Sequence, residues 1–490
     1  MESLQIFIFL VYCLCLTFIF LYSLVQLQLA WLYLRAKKKQ PVPSSPKVPD
    51  NWPPVTVQLP LYNEIYVAGR LLNAVMALDY PPDKLQVQVL DDSTDGTTAL
   101  VAEKVAAFLK AGKNIIHVRR PERTGYKAGA LQYGLATATG EYIAIFDADF
   151  LPYPDFLKKT IAAFDAPDIG VVQTRWGHLN QDYSVLTQLQ AFGLNAHFTV
   201  EQTGRSVGGH FINFNGTAGV WRKTCILDAG GWQPDTLTED LDLSYRAQLK
   251  HWRLRYLEDV VAPAELPAAM TAIKSQQFRW TKGAAETARK HLGRVLFSNI
   301  SFGTKINALF HLLNSSVFVA LLMAAILSVP VLFFIKDISI WHPLYSIRGL
   351  YVISLVALVL FYWLSFRKLD QDRKKGFLYF LPKLFLFLVF SMGLSLHNSI
   401  AVAEGFLGIK TPFIRTPKFN IRSVQDRWQN SLYAVKNLSV LSFLEGLLCL
   451  YFLFGVYLGF HLHSYGTLPF HIMLSLGFGL VFYYSVKHSQ

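Results

Sequence analysis

Two apolar regions enclose one long stretch that reads as globular protein, and that arrangement limits what the chain can become. Met1 to Leu34 is nearly uncharged, Val55 to about Arg294 mixes polar and apolar residues, and from roughly Ile306 long apolar runs return. Each run is near the ~20 residues a bilayer demands. Over 490 residues the chain is 52% hydrophobic and 16% charged. It is too apolar for a soluble enzyme and too polar for membrane spans alone. The division predicts a transmembrane anchor over 1–35, a Pro-rich linker over 36–54 and a globular domain over 55–267. Interfacial helices over 268–304 and a membrane region over 305–490 follow. The first apolar run exceeds a signal peptide's hydrophobic region and lacks a small-residue cleavage site, so it reads as an uncleaved anchor.

The net charge of +13 does not point to nucleic acid. Basic residues crowd at the ends of apolar runs ("RAKKK", "RKLDQDRKK"), the positive-inside pattern of a multi-pass membrane protein. It places the globular domain and the C-terminus in the cytoplasm and the N-terminus outside. Spans are expected near 306–335, 347–366, 438–461 and 468–486. Residues 379–406 are ambiguous. If they cross, Lys410, Arg415, Lys418, Arg422, Arg427 and Lys436 all fall outside. If they lie in the membrane plane or re-enter, those residues stay inside as the charge rule prefers. His397, Asn398 and Glu404 would also be costly in lipid. The expectation is five crossings, an interfacial segment over 379–406 and a cytoplasmic loop over 407–437. Cys13, Cys15 and Cys449 lie in apolar runs and Cys225 stands alone, a spacing that supports neither a disulfide framework nor a zinc site.

Within the globular part, "VTVQLP", "LQVQVLDD", "NIIHVRR" and "EYIAIFDAD" read as strands separated by helical patterns. Such alternation predicts an α/β domain with a mainly parallel sheet, in which ligands bind beyond the carboxyl ends of the strands. Acidic clusters sit at those ends: Asp91 and Asp92 after the second strand, Asp147 and Asp149 after the fourth. Acidic residues can simply end strands as turn formers. Two clusters after buried strands instead suit a divalent Mg²⁺ or Mn²⁺ held by carboxylates and shared with substrate phosphates.

A third cluster, "TLTEDLDLSYRAQ", offers Thr238 as a helix cap with Glu239 and Asp240 in the first turn, where acids favour the helix dipole. A carboxylate there could equally serve as a general base. Lys127 in "TGYKAGAL" opens a helix where an ammonium and backbone N–H groups can meet phosphate, or stands as a solvated first-turn lysine. In "SQQFRW", Gln276, Arg279 and Trp280 share one helical face at i, i+3 and i+4. That combination suits phosphate and sugar better than a core. An interfacial belt residue is the plainer account of Trp280 alone. His178, His197 and His210 show no ligand spacing and read as ordinary residues.

In order along the chain, Asp91/Asp92, Asp147-Ala-Asp149, Thr238-Glu239-Asp240 and Gln276-x-x-Arg279-Trp280 resemble the D, DxD, TED and QxxRW motifs. These mark processive family-2 glycosyltransferases of the cellulose-synthase superfamily. "DDSTDGT", "GYKAGAL", "FDADF", "FNGTAGVWR", "AGGW", "EDLDLSYRA", "QQFRW" and "RTPKF" look nearest to plant cellulose-synthase-like A and C proteins, which make β-1,4-mannan or glucomannan and the xyloglucan backbone. The resemblance implies a GT-A, Rossmann-like nucleotide-sugar-binding domain on a helical transmembrane region. It implies that Asp91, Asp92, Lys127, Asp147, Gln276 and Arg279 bind the donor and that Asp147 and Asp149 hold the metal. It further implies Asp240, with Glu239, as the catalytic pair. Trp280, Phe214, Asn215, Gly216 and Thr217 would meet the acceptor. The expected donor is GDP-mannose, with UDP-glucose second. The expected product is a β-1,4-linked polysaccharide passed across a plasma, inner or Golgi membrane. Single-sugar transfer to a lipid acceptor, ceramide or a polyprenyl phosphate, uses the same motifs and is the alternative. A transporter with a degenerate nucleotide-binding domain is the reading from outside enzymes. "FIRTPKF" matches only loosely the gating loop of bacterial cellulose synthases.

Overall fold

A computed structural model describes residues 2–39, 51–334, 348–370, 374–421 and 438–489, with 423, 425–429 and 431–433 between the last two. Most of the expected linker, Arg422 and Lys436 lie outside these residues. The strands are β1 (Val55–Leu61), β2 (Leu85–Asp91), β3 (Ile115–Val118), β4 (Tyr142–Ile145), β5 (Ile169–His178), β6 (Gly219–Arg222) and β7 (Arg253–Ala264). They form one sheet in the order β3-β2-β1-β4-β6-β5-β7. β1 pairs in parallel with β2 and β4, whereas β6 runs antiparallel to β4 and β5. The order reverses between β1 and β4, and ligands of open α/β sheets sit outside the strand ends at such a switch point.

The helices in chain order are α1 (Glu2–Lys39), α2 (Ala68–Met76), α3 (Thr97–Lys110), α4 (Tyr126–Leu135), α5 (Phe156–Ile161), α6 (Val185–Ala196), α7 (Gln202–Val207), α8 (Lys223–Asp228) and α9 (Glu239–Leu249). Then come α10 (Met270–Phe297), α11 (Phe302–Leu312), α12 (Ser316–Phe334), α13 (Arg348–Leu369), α14 (Phe377–Gly393), α15 (Ser395–Leu407), α16 (Val440–His461) and α17 (Leu468–Lys487). Both sheet faces are covered. Val57, Leu59, Val87, Val89 and Phe146 pack with α2 and α5 on one side, and Leu131, Ile143, Ile145, Trp221 and Trp232 pack on the other. The alternation in "VTVQLP" and "LQVQV" therefore does not mark a wet face. Gln58 and Gln88, both fully buried, hydrogen-bond to each other at 3.0 Å, and Thr56 donates to Gln86 at 2.8 Å. Burial without those partners would cost a few kcal/mol per group (~1–3).

Among the described residues, five helices are long and apolar enough to cross a membrane: α1, α12, α13, α16 and the one that includes α17. α14 and α15 pass the same test only as a pair bent by 50°. Contacts locate the helix ends. Lys37 at the end of α1 lies 3.2 Å from Glu258 on β7, and Lys368 at the end of α13 lies 3.2 Å from Asp259. Near the close of α15, Glu404 pairs with Lys282 of α10 at 2.8 Å. Glu445, early in α16, meets Lys274 of α10 at 2.7 Å, and His488 after α17 accepts the Met270 backbone N–H at 3.0 Å. The close of the bent pair thus lies against α10. The segment after it lies against the sheet domain too: Arg415 pairs with Glu64 at 2.9 Å and Arg70 donates to Asn420 at 2.7 Å.

Candidate active site

A cavity of ≈ 170 Å³ opens at the carboxyl ends of β1, β2 and β4. β4 runs into Asp147 and Asp149, and the Asp147 backbone N–H is held by Thr217 Oγ1 at 2.9 Å. Beyond β2, Asp92 faces the cavity and pairs with Arg120 at 2.5 Å. Lys127, in the first turn of α4, reaches Asp147 Oδ1 at 2.6 Å and donates to the Gly216 carbonyl at 2.9 Å. Burial draws its ammonium down, but Asp147, Glu239 and Asp240 outweigh that and hold it above the ordinary lysine value.

Glu239 and Asp240 open α9. Thr238 stands at the cap position, but its hydroxyl meets Thr287 at 3.2 Å instead of capping the helix. The Asp240 carboxyl is pushed up to about 7, first by burial and then by the charge of Glu239, against the pull of Lys127. Burial raises Glu239 as well. Gly216 makes this crowding possible. It adopts φ +79°, and a Cβ there would lie 2.9 Å from Asp240 Oδ2 and 3.3 Å from Lys127 Nζ. A general base works best with a pKa near the working pH, and Asp240 meets that condition.

α10 supplies the remaining wall. Gln276, Arg279 and Trp280 all line the cavity, as one helical face requires. Arg279 donates to Thr416 at 2.9 Å and lies over the Phe413 ring at 4.9 Å. The Trp280 ring stands 6.4 Å from that of Trp176 on β5.

Three residues expected at the site are set back from it. Asp91 is 1% exposed, bonded to the Ser93 N–H and to His117 at 2.9 Å each, since successive strand residues face opposite ways. Phe214 is fully buried against Trp221 and Trp232. Thr217 is also buried and acts on Asp147 from behind.

Several lining residues were not expected. Tyr62 follows β1, and the Arg123 guanidinium lies 3.3 Å from the centre of its ring. Glu64, Arg415 and Lys418 form an ion cluster in which Lys418 Nζ is 2.7 Å from Asp149 and 3.5 Å from Glu64. His178 lines the cavity too, its ring pushed down to about 4 by burial and by Arg175. The base in "RTPKF" was the available signal for Lys418, while Tyr62 and Glu64 carried no local mark beyond following a strand.

Residues 53–283 match the family model described as glycosyltransferase like family 2. Curated relatives include the probable glucomannan 4-beta-mannosyltransferase 4 of Oryza sativa subsp. japonica, 36% identical over 73% of this chain and 63% of that protein. Another is the glucomannan 4-beta-mannosyltransferase 7 of Arabidopsis thaliana, 38% identical over 63% of this chain and 57% of that protein. The chain thus spans less than two thirds of the length of these relatives. Among solved structures, the mannosyltransferase PcManGT from Pyrobaculum calidifontis in complex with GDP-Man and Mn2+ aligns with a TM-score of 0.51 at 22% identity. The alignment covers 72% of this chain and 99% of that one. The sheet domain shares the fold of that structure.

Proposed function

With residues 53–283 a glycosyltransferase like family 2 domain, we propose that the chain is an inverting, membrane-embedded glycosyltransferase that extends a β-1,4-linked polysaccharide from GDP-mannose. The observation that carries this is the meeting, in one cavity, of a carboxyl raised to about 7, a carboxylate pair, two cations and a tryptophan from an amphipathic face (Asp240; Asp147 and Asp149; Lys127 and Arg279; Trp280). Relatives named as mannosyltransferases and the GDP-Man named with the neighbouring structure support GDP-mannose as the donor.

In this reading the donor diphosphate lies against Lys127 and Arg279, and the acceptor sugar stacks on Trp280. Asp240 takes the proton of the attacking hydroxyl as its oxygen bonds to the anomeric carbon. The bond from that carbon to the diphosphate oxygen breaks on the opposite face, and the nucleoside diphosphate leaves. Cations poised where charge develops stabilise the departing group. Asp147 and Asp149 would hold a divalent ion. Their oxygens already attract two ammoniums at 2.6 and 2.7 Å, so the donor set suits a hard cation. When bound, such an ion supplies charge neutralisation on the diphosphate. The positive-inside pattern supports a cytoplasmic place for the domain, the 407–437 loop and the C-terminus.

The test is product analysis after offering the purified protein GDP-mannose and UDP-glucose separately. A β-mannanase-sensitive polymer from GDP-mannose is expected. Incorporation from UDP-glucose alone would overturn the donor, and single-addition glycolipid products would overturn the polymer.

A further inference from the structure

His197 shows no ligand spacing in the sequence and does not line the cavity, yet the structure connects it to the cavity wall. α6 and α7 are joined by one π-helical turn, His197–Glu201. Such turns are rare and concentrate at functional sites. The turn sets His197 and Glu201 side by side, with ring Nδ1 2.9 Å from Glu201 Oε2. Arg205 secures the other Glu201 oxygen at 3.1 Å. Ring Nε2 lies 3.1 Å from Asn215 Oδ1.

Asn215 lines the cavity, one residue before the glycine packed against Asp240. Its Oδ1 accepts a second bond from Asn213 at 2.8 Å, and its backbone N–H donates to Gln173 at 2.9 Å. A carboxylate and an amide oxygen can only accept, so with the ring as an imidazolium paired with Glu201 both ring nitrogens donate, and His197 and Asn213 together put two donors on the Asn215 oxygen and fix which way the amide faces. Its NH₂ group then has a single long bond, 3.4 Å to the Asn213 carbonyl, and remains largely free to donate.

We propose that His197 is a positioning residue for the acceptor sugar, holding the Asn215 amide so that its N–H groups meet a hydroxyl of the sugar whose neighbouring hydroxyl attacks. The proposal rests on the glycosyl-transfer reading above. The chain Glu201–His197–Asn215 makes the acceptor side rigid without touching the donor. Loss of one oriented hydrogen bond to a sugar hydroxyl corresponds to about tenfold in acceptor affinity.

The experiment compares wild type with His197→Ala, His197→Gln, Asn215→Ala and the Ala/Ala double variant, each purified in detergent with its melting temperature recorded. Acceptor KM, kcat and GDP-mannose Kd are measured. Binding of a β-1,4-manno-oligosaccharide is read separately by quenching of tryptophan fluorescence. His197→Ala is expected to raise acceptor KM and weaken oligosaccharide binding about tenfold, leaving donor Kd within about twofold. His197→Gln, whose amide can still donate to Asn215, is expected to recover most of the loss. The double variant is expected to be no worse than Asn215→Ala, because coupled residues are not additive. Additive losses, unchanged acceptor binding, or an equal loss of donor affinity would overturn the proposal. A wild type that binds the oligosaccharide but transfers nothing to it would instead overturn the transfer reading, and the binding arm would still decide the role of His197.

Discussion

Lys418 Nζ lies 2.7 Å from Asp149, so a base from the segment after the bent helix pair sits on a carboxylate at the end of β4. Asp149, Glu64 and Asp147 hold that ammonium well above the usual lysine value despite its burial. It occupies the charge that a divalent cation would otherwise satisfy. Lys418→Ala is therefore expected to tighten Mn²⁺ binding in the absence of donor by ~3–10-fold, the worth of a partly buried ion pair. Electron paramagnetic resonance titration reads this directly, and unchanged or weaker binding would remove Lys418 as a competitor.

Asp240→Asn keeps shape and removes the basic oxygen. Turnover is expected to fall ~10²–10⁴-fold, as loss of a general base typically does, with donor Kd within about twofold. Near wild-type turnover would assign the base elsewhere.

The raised Asp240 pKa gives two pH signatures of definite sign. As a base it must be ionised, so log kcat/KM should fall with unit slope below about pH 7. For stability, the folded state binds this proton more tightly than the unfolded chain, whose carboxyl titrates near ~3.9. Ionisation therefore opposes folding, and stability is lost as pH rises from about 4 through about 7. Asp240→Asn should melt above wild type at pH 8 and lose that advantage towards pH 4. A constant difference across that range would contradict the shift.

Gly216→Ala puts a methyl 2.9 Å from Asp240 Oδ2 on a backbone at φ +79°. A large loss of turnover is expected, about a hundredfold or more if the reacting groups are displaced by ~1 Å, with cavity-remote packing retained. Full activity would mean that the loop and α9 separate more easily than their contact implies.

Gln425, exposed in the segment after the bent pair, tests the topology. A cysteine placed there should resist labelling from outside sealed cells, whereas one at Gly466, between α16 and α17, should label. The reverse pattern would mean that α14 and α15 cross.

Most of the sheet's site-bearing half was legible because its signals are local. A strand followed by acids, and an amide, a guanidinium and an indole at helical spacing, are properties of short segments. Asp91 was misplaced although the rule was available: adjacent residues at a strand end face opposite ways, so only one of Asp91 and Asp92 could enter the site. Phe214 and Thr217 came in with their motif, and burial separates them from Asn215 and Gly216. β5, β6 and β7 left weaker marks, since β6 is four residues long and the pairing of β5 with β7 is broken by register shifts. The pairings of Glu64 with Arg415 and of His197 with Asn215 are long-range or depend on a non-standard turn, and neither periodicity nor motif spacing encodes them.

α10 is one uninterrupted helix of 28 residues, about 42 Å at 1.5 Å per residue. Near its start it is fastened to α16 through Lys274 and, through the Met270 backbone, to His488 after α17. Ten residues past that start it presents Trp280 to the cavity. In the proposed function it would act as a strut between the bilayer and the cavity, which would make membrane thickness a mechanical input to the chemistry. In nanodiscs of graded acyl length, turnover should follow thickness while GDP-mannose affinity at the sheet end stays level. Turnover that ignores thickness would mean that α10 carries no load from the bilayer to the cavity.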